Sequence, residues 1–380
     1  MRILLDPVYT GRAHTCSTSY LFWELIDEMC ERRDDVFFYL LYPKSAEKSE
    51  EEMAFLKRRP DRVTLFPYDY NVTDRLGEAF KLNDELCHYL SPGPTPVWDY
   101  DAVVTSRISM IPFMRNVSGR VSASYKSGSP RQFLGVECMP IFQFRDTVPW
   151  TVHGLNDMTS LAAYMAADQI VVADLWTKKG VVQTARKWLS PSNVMQVSDK
   201  IRESLPVTLE RLHRTYPKQE FGSTPDKPFN VVFTGRMTGT RNFKDVAEVF
   251  RNHYSYPIGT ESHMNFIVST NSQASGAAKT GEIDFMDIQK NNREQFHALL
   301  QTTAHVVVNL STVEDFSLST YEPLLFGVPV IVPTKPWTSF LGEDYPFRVK
   351  TTTDAYSMVK AFAEDYEGQM AKFWDWEETH

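Results

Sequence analysis

Short apolar runs alternate with amphipathic stretches along the first half of the chain. Between Leu21 and Met29 the apolar residues recur at helical spacing, which predicts a helix over residues 19–32. The apolar runs themselves are too short for helices and predict strands at residues 3–5, 36–42, 63–67, 102–105 and 170–173. Strands that alternate with helices in this way favour a parallel sheet with crossover helices.

The same alternation returns in the second half of the chain after a polar interruption. Residues 206–228 contain four prolines and Gly222, a composition typical of a linker between domains. Beyond it, strands are predicted at residues 230–235, 266–268, 305–309 and 329–332, followed by one helix over residues 354–374.

The predicted fold class is therefore α/β, of the GT-B type, with two Rossmann-like domains that face each other across a cleft. A chain of 380 residues is also too long for a single hydrophobic core. The predicted segments are an acceptor domain over residues 1–205, the linker over 206–228, a donor domain over 229–350 and a helical segment over 351–380.

Composition and charge argue against several classes of protein. A net charge of −8 disfavours a broad electrostatic grip on nucleic acid. No apolar run reaches the roughly 20 residues that a membrane span needs, and Asp6 and Pro7 end the first run too early for a signal peptide. The four cysteines show no metal-binding spacing and are expected to be reduced thiols. We therefore expect a cytoplasmic protein without a membrane span.

Residues 311–330 carry the most informative pattern in the chain. It predicts a strand, a loop, a helix over residues 317–326 and a second strand, which Pro329 opens. Gly327 stands where the end of a helix needs a positive φ. The loop leads directly into the helix N-terminus, where free N–H groups and the helix dipole favour a bound phosphate.

Two carboxylates flank this predicted phosphate site. Glu314 precedes the helix and Glu322 lies about one turn inside it, so both can accept hydrogen bonds from hydroxyl groups beside the phosphate. The alternative interpretation is a capping box, in which Ser319 caps the helix and Glu322 only satisfies a backbone N–H.

The surroundings of the two glutamates resemble a family motif. Glu314-x7-Glu322, with an aromatic residue at Phe316 and Gly-Val-Pro-Val after the helix, is similar to the motif of retaining GT-B glycosyltransferases related to glycogen and sucrose synthases. In that family the first glutamate contacts hydroxyls of the donor sugar, and the second binds the ribose of the nucleotide. The resemblance implies these roles for Glu314 and Glu322, and it implies further donor contacts from Phe316, Ser317, Leu318 and Ser319.

A basic pair upstream extends the resemblance. A predicted strand ends in Gly235-Arg236, and Lys244 follows eight residues later at the expected start of a helix. The family carries an arginine and a lysine at corresponding positions, both on the donor diphosphate. Two fixed cations can stabilise the charge on a departing nucleoside diphosphate in place of a divalent metal. A basic surface loop is the alternative, because Arg241 lies in the same stretch.

The first half of the chain supplies a third set of candidates. Residues 150–154 are predicted to form a short strand that delivers His153 into a loop, and the family has a histidine in a similar place that reaches the donor sugar. The family's first loop is rich in glycine, whereas this chain has one glycine there. Gly11 and Arg12 are the residues expected to contact a ligand from that loop.

These features imply a metal-independent, retaining glycosyltransferase whose donor is a nucleotide sugar, with UDP the expected nucleotide. The donor is a substrate, and neither a cofactor nor a metal is expected. The residues expected at the reaction centre are His153, Arg236, Lys244 and Glu314.

The acceptor stays open between a small molecule, a glycan, a protein and a modified DNA base. Some bacteriophage GT-B enzymes glycosylate hydroxymethylated bases in DNA, although the acidic charge of this chain counts against that acceptor. Two other classes share the predicted fold, namely a different sugar-nucleotide enzyme such as an epimerase or phosphorylase, and a domain that only binds. The presence of both glutamates and both cations argues against the binding-only class.

Overall fold

The structure of the protein, a computed structural model, divides into two compact units. Met1–Val207 forms unit 1 and Thr208–His380 forms unit 2. The predicted linker over residues 206–228 falls almost entirely outside the described part of the chain. The described residues are 1–6, 17–43, 53–54, 57–68, 100–106, 108–115, 132–137, 150–172, 175–203, 221, 227–235, 241–254, 264–270, 286–291, 293–312, 314 and 317–379.

The described residues of unit 1 contain a seven-stranded parallel sheet in the order β3-β2-β1-β4-β5-β6-β7. The strands are β1 Arg2–Asp6, β2 Phe37–Pro43, β3 Val63–Tyr68, β4 Ala102–Thr105, β5 Gln132–Glu137, β6 Gln169–Val172 and β7 Ile201–Glu203. The helices are α1 Ser17–Arg32, α2 Trp150–Ala166, α3 Leu175–Trp188 and α4 Pro191–Lys200, with a 3-10 turn at Ile108–Met110. This arrangement is the strand order of a Rossmann fold with one strand added.

Both faces of the unit 1 sheet are covered because successive strand residues point to opposite sides. Ile3 and Leu5 of β1 pack with Trp23 and other buried residues of α1. Leu4, between them, packs on the other face in a cluster that includes Tyr164 of α2. A parallel sheet buried on both faces needs near-continuous apolar strands, which explains the short apolar runs in the sequence.

The described residues of unit 2 contain a six-stranded parallel sheet in the order β10-β9-β8-β11-β12-β13. The strands are β8 Phe229–Thr234, β9 Met264–Thr270, β10 Met286–Lys290, β11 Val306–Val308, β12 Val330–Pro333 and β13 Arg348–Val349. The helices are α5 Phe243–Tyr254, α6 Arg293–Thr302, α7 Leu318–Leu325, α8 Thr352–Glu364 and α9 Tyr366–Thr379, with a 3-10 helix at Pro336–Leu341. All residues of β8, β11 and β12 are buried.

The C-terminal segment predicted to be helical over residues 354–374 is helical, but it forms two helices separated at Asp365 and not one. The Asp365 carboxylate accepts a hydrogen bond at 3.0 Å from the backbone N–H of Gly368 in the first turn of α9. A capping aspartate of this kind competes with continuation of the preceding helix. Phe362 of α8 and Phe373 of α9 are both buried in the unit 2 core.

The strand predicted over residues 150–154 is wrong, because these residues begin helix α2. Thr151 and Val152 favour strands, but local preference over so few residues is weak. The run that follows supplies Leu161 and Tyr164 to the core of unit 1, and this burial decides in favour of a helix.

Apart from residues 150–154, every run predicted as a strand forms one, while β5, β7, β10 and β13 were not predicted. In β5 the pattern is interrupted by Gly135, where a side chain would collide with Ile108 at 2.5 Å. The glycine therefore serves close packing within a strand that its sequence signal conceals. Among the described helices, none combines the length and apolar character that a membrane crossing requires.

Helix α7 ends at the predicted glycine. Gly327 has a φ of 68°, and its N–H donates to the Leu324 carbonyl at 2.9 Å. The N–H of Val328 donates to the Pro323 carbonyl at 2.8 Å, which completes a Schellman motif. The prediction for this helix end is confirmed, and the motif fixes the direction in which the chain enters β12.

Replacing Gly327 should therefore destabilise unit 2 by an amount that depends on how well the new residue tolerates a positive φ. Gly327→Ala is expected to cost about 1–2 kcal/mol, or roughly 2–8 °C in thermal midpoint, because alanine resists a positive φ. Gly327→Asn should cost less than half as much, since asparagine tolerates this conformation. Differential scanning calorimetry of the two variants measures the difference, and equal midpoints for alanine and glycine would contradict the assignment.

Candidate functional site

The carboxyl ends of β8 and β11 mark the place where a ligand is expected in unit 2. β8 is the first strand of the sheet in sequence and lies between β9 and β11. The chain first adds β9 and β10 on one side of β8, and it later returns to pair β11 with the other side. At such a reversal of strand order the carboxyl edge of a parallel sheet forms a crevice, which is the usual ligand site. The segments after Thr234 and Val308 leave the sheet at this edge.

A glycine with a positive φ follows β8 and lies beside an arginine. Gly235 has a φ of 108°, and its N–H donates to the Ser269 carbonyl at 3.2 Å. A Cβ at position 235 would lie 3.6 Å from Nε of Arg241, in van der Waals contact. Asn242 follows with a φ of 55°, and α5 begins at the next residue. Arg241 therefore lies between the end of β8 and the start of α5.

Of the two cations predicted to bind a diphosphate, one lies within the described residues and the other does not. Lys244 is the second residue of α5, as predicted for a helix start, and its side chain is exposed. Arg236 lies outside the described residues. Arg241, which the sequence suggested only as part of a basic surface loop, has described contacts with the carboxylate motif.

Arg241 links the segments that follow β8 and β11. Its guanidinium forms an ion pair with the buried carboxylate of Glu314, and its Nη1 donates to Ser311 Oγ at 3.2 Å. The Glu314 side chain is 5% exposed and that of Arg241 is 24% exposed. A carboxylate removed from water to this degree requires a matching cation or donors. Arg241 therefore connects the segment after β8 to Glu314 and to the segment after β11.

Asn309, immediately after β11, organises the segment that leads to α7. Its Nδ2 donates to Thr320 Oγ1 at 2.8 Å and to Ser317 Oγ at 3.2 Å. Its Oδ1 accepts from Ser311 Oγ at 2.6 Å. The amide is buried, so this network of hydroxyls fixes the N-terminus of α7 against the end of β11.

The first turn of α7 is also fixed to the end of β8. Pro323 lies inside α7 and has no N–H for the carbonyl four residues earlier, that of Ser319. Thr234 Oγ1 donates to this Ser319 carbonyl at 3.3 Å. The proline thus frees a carbonyl that connects the helix to β8, which places the helix N-terminus at the expected ligand edge.

Glu322 is held by a histidine from the preceding helix. The Glu322 carboxylate, 5% exposed, lies with Oε1 at 3.0 Å from Nε2 of His297 on α6. The alternative capping-box interpretation is wrong, because the N-cap residue is Ser317 and not Ser319. Glu322 consequently falls on the fifth residue of the helix, beyond the third position that a capping box requires.

Burial raises the pKa of two tyrosines, one on α7 and one in the segment after β12. Burial raises the pKa of Tyr321, which lies on α7 and is half-buried. Burial also raises the pKa of Tyr345, whose hydroxyl donates to the Val330 carbonyl at 2.7 Å. The Tyr345 phenol thereby fixes the first residue of β12, directly after the turn that ends α7.

The candidates in unit 1 are only partly described. His153 lies on α2, while Gly11 and Arg12 fall outside the described residues, as does Phe316 in unit 2. At the corresponding edge of the unit 1 sheet, Thr105 Oγ1 donates to the buried Asp6 carboxylate at 2.8 Å, which joins the ends of β4 and β1.

Two residues of the site were not predicted, and one of them had a sequence signal. Arg241 stands just before the start of α5, where the positive end of the helix dipole disfavours a cation. A basic residue in such a place indicates a role other than helix stability. His297 had no comparable signal, since it is separated from Glu322 by 25 residues and only the folded chain brings the two together.

Comparison with known proteins identifies the fold. No protein-family model and no curated sequence matches the chain. Among solved structures, HepE of Anabaena in complex with UDP and glucose is 13% identical to this chain, with a TM-score of 0.64. The matched region covers 98% of this chain and 92% of the HepE chain. Sucrose-phosphate synthase of Thermosynechococcus elongatus is 14% identical, with a TM-score of 0.63. The matched region covers 98% of this chain and 92% of the synthase chain.

A glycosyltransferase of Rickettsia africae is 10% identical, with a TM-score of 0.59. The matched region covers 98% of this chain and 90% of the Rickettsia chain. At these identities the similarity concerns the fold. The α/β fold class of the GT-B type, with two Rossmann-like units, is confirmed.

The Arg241–Glu314 ion pair should show strong energetic coupling. Arg241→Met leaves a buried carboxylate without its cation and is expected to cost about 1–3 kcal/mol of stability. Adding Glu314→Gln should restore much of this loss, because no uncompensated charge remains. A double-mutant cycle of thermal or urea unfolding measures the coupling.

The exposed ion pair between Arg32 and Glu28 provides the control. Arg32→Met should leave the unfolding midpoint nearly unchanged, because solvent screens this pair. Strictly additive losses for Arg241→Met and Glu314→Gln would show that the two side chains are independent.

Proposed function

We propose that the protein is a glycosyltransferase that takes a sugar from a nucleotide-activated donor bound by unit 2. The observation that carries the proposal is the meeting of three groups at the carboxyl edge of β8 and β11. Arg241 contacts Glu314 and Ser311. Asn309 then connects Ser311 to Ser317, the N-cap residue of α7. A carboxylate, a cation and a helix N-terminus together suit a ligand that combines hydroxyl groups with a phosphate.

The phosphates of the donor are proposed to bind at the first turn of α7. N-cap Ser317 has no side-chain bond to the helix backbone, so its hydroxyl leaves the first amides to a ligand. Arg241 supplies positive charge from its position beside Gly235. A guanidinium has five N–H donors, so Arg241 can serve Glu314 and a phosphate oxygen together. Arg236 and Lys244 are proposed to add charge on the diphosphate side.

The two glutamates are proposed to bind the two sugars of the donor. Glu314 accepts hydrogen bonds from the sugar to be transferred, and Glu322 accepts them from the ribose. Ionised carboxylates act only as acceptors and therefore suit hydroxyl-rich ligands. Contacts with Phe316, Leu318 and Ser319 complete the proposed donor site.

The proposed nucleotide is UDP. HepE of Anabaena, which shares the fold of this chain, was solved in complex with UDP and glucose. The sequence resemblance at Glu314 and Glu322 leads to the same class of donor.

The proposed reaction forms a bond between an acceptor oxygen and C1 of the sugar, and it breaks the bond between C1 and the phosphate oxygen. The acceptor proton passes to the departing phosphate, and the sugar keeps its anomeric configuration. Negative charge that grows on the phosphate is stabilised by fixed cations and helix amides, so we propose that no metal takes part. His153, Gly11 and Arg12 of unit 1 are proposed to contact the sugar or the acceptor.

Donor binding provides the first test. UDP-sugars are expected to raise the thermal midpoint of the wild-type protein, since a ligand that binds only the folded state stabilises it. Glu322→Gln, Arg236→Gln and Arg241→Gln should each weaken binding by about tenfold or more, because each removes a charged hydrogen-bond partner. Lys244→Gln should weaken it less, because its side chain is exposed. Isothermal titration calorimetry gives the affinities.

The matched control is Lys360→Gln, which removes another exposed lysine of unit 2, on α8. It should bind UDP-sugars like the wild type. If no sugar nucleotide binds the wild-type protein, the proposed function is refuted. Binding without transfer to any acceptor, across small molecules, glycans, proteins and hydroxymethylated DNA, would indicate the binding-only alternative.

The chemistry of transfer provides the second test. Activity is expected to survive extensive chelation, because the cations of the protein replace a metal at the diphosphate. An assay before and after treatment with EDTA measures this, and activity restored by added Mn²⁺ or Mg²⁺ would contradict metal independence. Proton NMR of the first-formed product should show the anomeric configuration of the donor, and an inverted product would refute the retaining mechanism.

A further inference from the structure

We propose that His297 is a positioning residue for Glu322, and that through it helix α6 sets how strongly the ribose of the donor is recognised. The inference rests on the proposed function, which gives Glu322 the ribose. It concerns a residue that no sequence motif connects with the site.

The contact between the two side chains is direct. Nε2 of His297 lies 3.0 Å from Oε1 of Glu322. An ionised carboxylate can only accept, so the ring must donate from Nε2. Both side chains are at least three-quarters buried, with exposures of 23% for His297 and 5% for Glu322, and little water competes for this hydrogen bond.

The imidazole is itself fixed by packing. Its centroid lies 4.9 Å from that of the Phe326 ring, at an interplanar angle of 52°. Phe326 is buried and follows Glu322 by four residues, so it lies on the same side of α7. The histidine is thus held against the face that bears the carboxylate, and it presents one N–H in one direction.

This arrangement prepares the carboxylate for a diol. A carboxylate offers roughly four lone-pair directions, and the hydrogen bond from His297 takes up one of them. Glutamate is flexible in isolation, and fixing its rotamer before binding lowers the entropic cost of recognition. Donors behind a ligating carboxylate or imidazole commonly tune affinity in this way.

A merely structural link between α6 and α7 would behave differently. Its loss would lower stability and weaken every nucleotide equally. A positioning role instead predicts loss of discrimination between a nucleotide that carries the ribose 2′-hydroxyl and one that lacks it, because this comparison reports a hydroxyl interaction of Glu322.

The experiment measures the affinities of UDP and 2′-deoxy-UDP by isothermal titration calorimetry for the full-length protein. The wild type is expected to prefer UDP by about tenfold or more, as for loss of a hydrogen bond to a charged group. His297→Leu should reduce this ratio to about one to two, mainly through weaker binding of UDP. His297→Gln, which keeps an N–H donor, should retain most of the ratio.

Two further variants make the outcome specific. In a Glu322→Gln background, His297→Leu should change UDP affinity by less than about twofold, since the two residues act through one contact. Thermal unfolding of each variant establishes that it is folded, and His297→Gln serves as the folded comparison if His297→Leu is not.

The outcomes separate this inference from the function on which it rests. A wild-type ratio that persists in His297→Leu would overturn the positioning role and leave the glycosyltransferase proposal intact. UDP binding with no preference over the deoxy analogue would overturn both the ribose role of Glu322 and the role of His297. Failure of the wild type to bind any nucleotide would refute the proposed function itself.

Discussion

The burial of two carboxylates is the main constraint on the structure at the carboxyl edge of the unit 2 sheet. Glu314 and Glu322 are both nearly inaccessible to solvent, and an ionised group in that position is tolerated only with a cation or strong donors. Arg241 supplies the cation for Glu314, and His297 supplies a hydrogen-bond donor for Glu322. The local structure of this edge brings Arg241 and His297 to the two glutamates.

Helix α7 satisfies this constraint because both of its ends are fixed. Hydroxyls around Asn309 hold its N-terminus, and a Schellman turn at Gly327 closes its C-terminus. Pro323 adds a third connection, since the carbonyl that it leaves without a helical donor is bound by Thr234 at the end of β8. A helix of eight residues would be marginal in isolation, so tertiary contacts stabilise it.

The sequence predicted those features that depend on local pattern. Buried parallel strands appear as short apolar runs, and Gly327 marked the helix end because few other residues accept its φ. Features that depend on tertiary contact were missed or misassigned. Residues 150–154 have strand preference but join a buried helix, and Gly135 disrupts the pattern of a strand whose neighbour needs the space. The partners of the two glutamates emerge only from the folded chain, since His297 and Arg241 lie on separate crossover connections.

These separate connections bear on how such a protein can diversify. Glu314 depends on the segment between β8 and α5, whereas Glu322 depends on α6. Substitutions in one connection can therefore alter one glutamate while the other keeps its support. If the first carboxylate binds the transferred sugar and the second binds the ribose, the contacts with these two parts of the donor can change independently during evolution, through substitutions confined to one crossover.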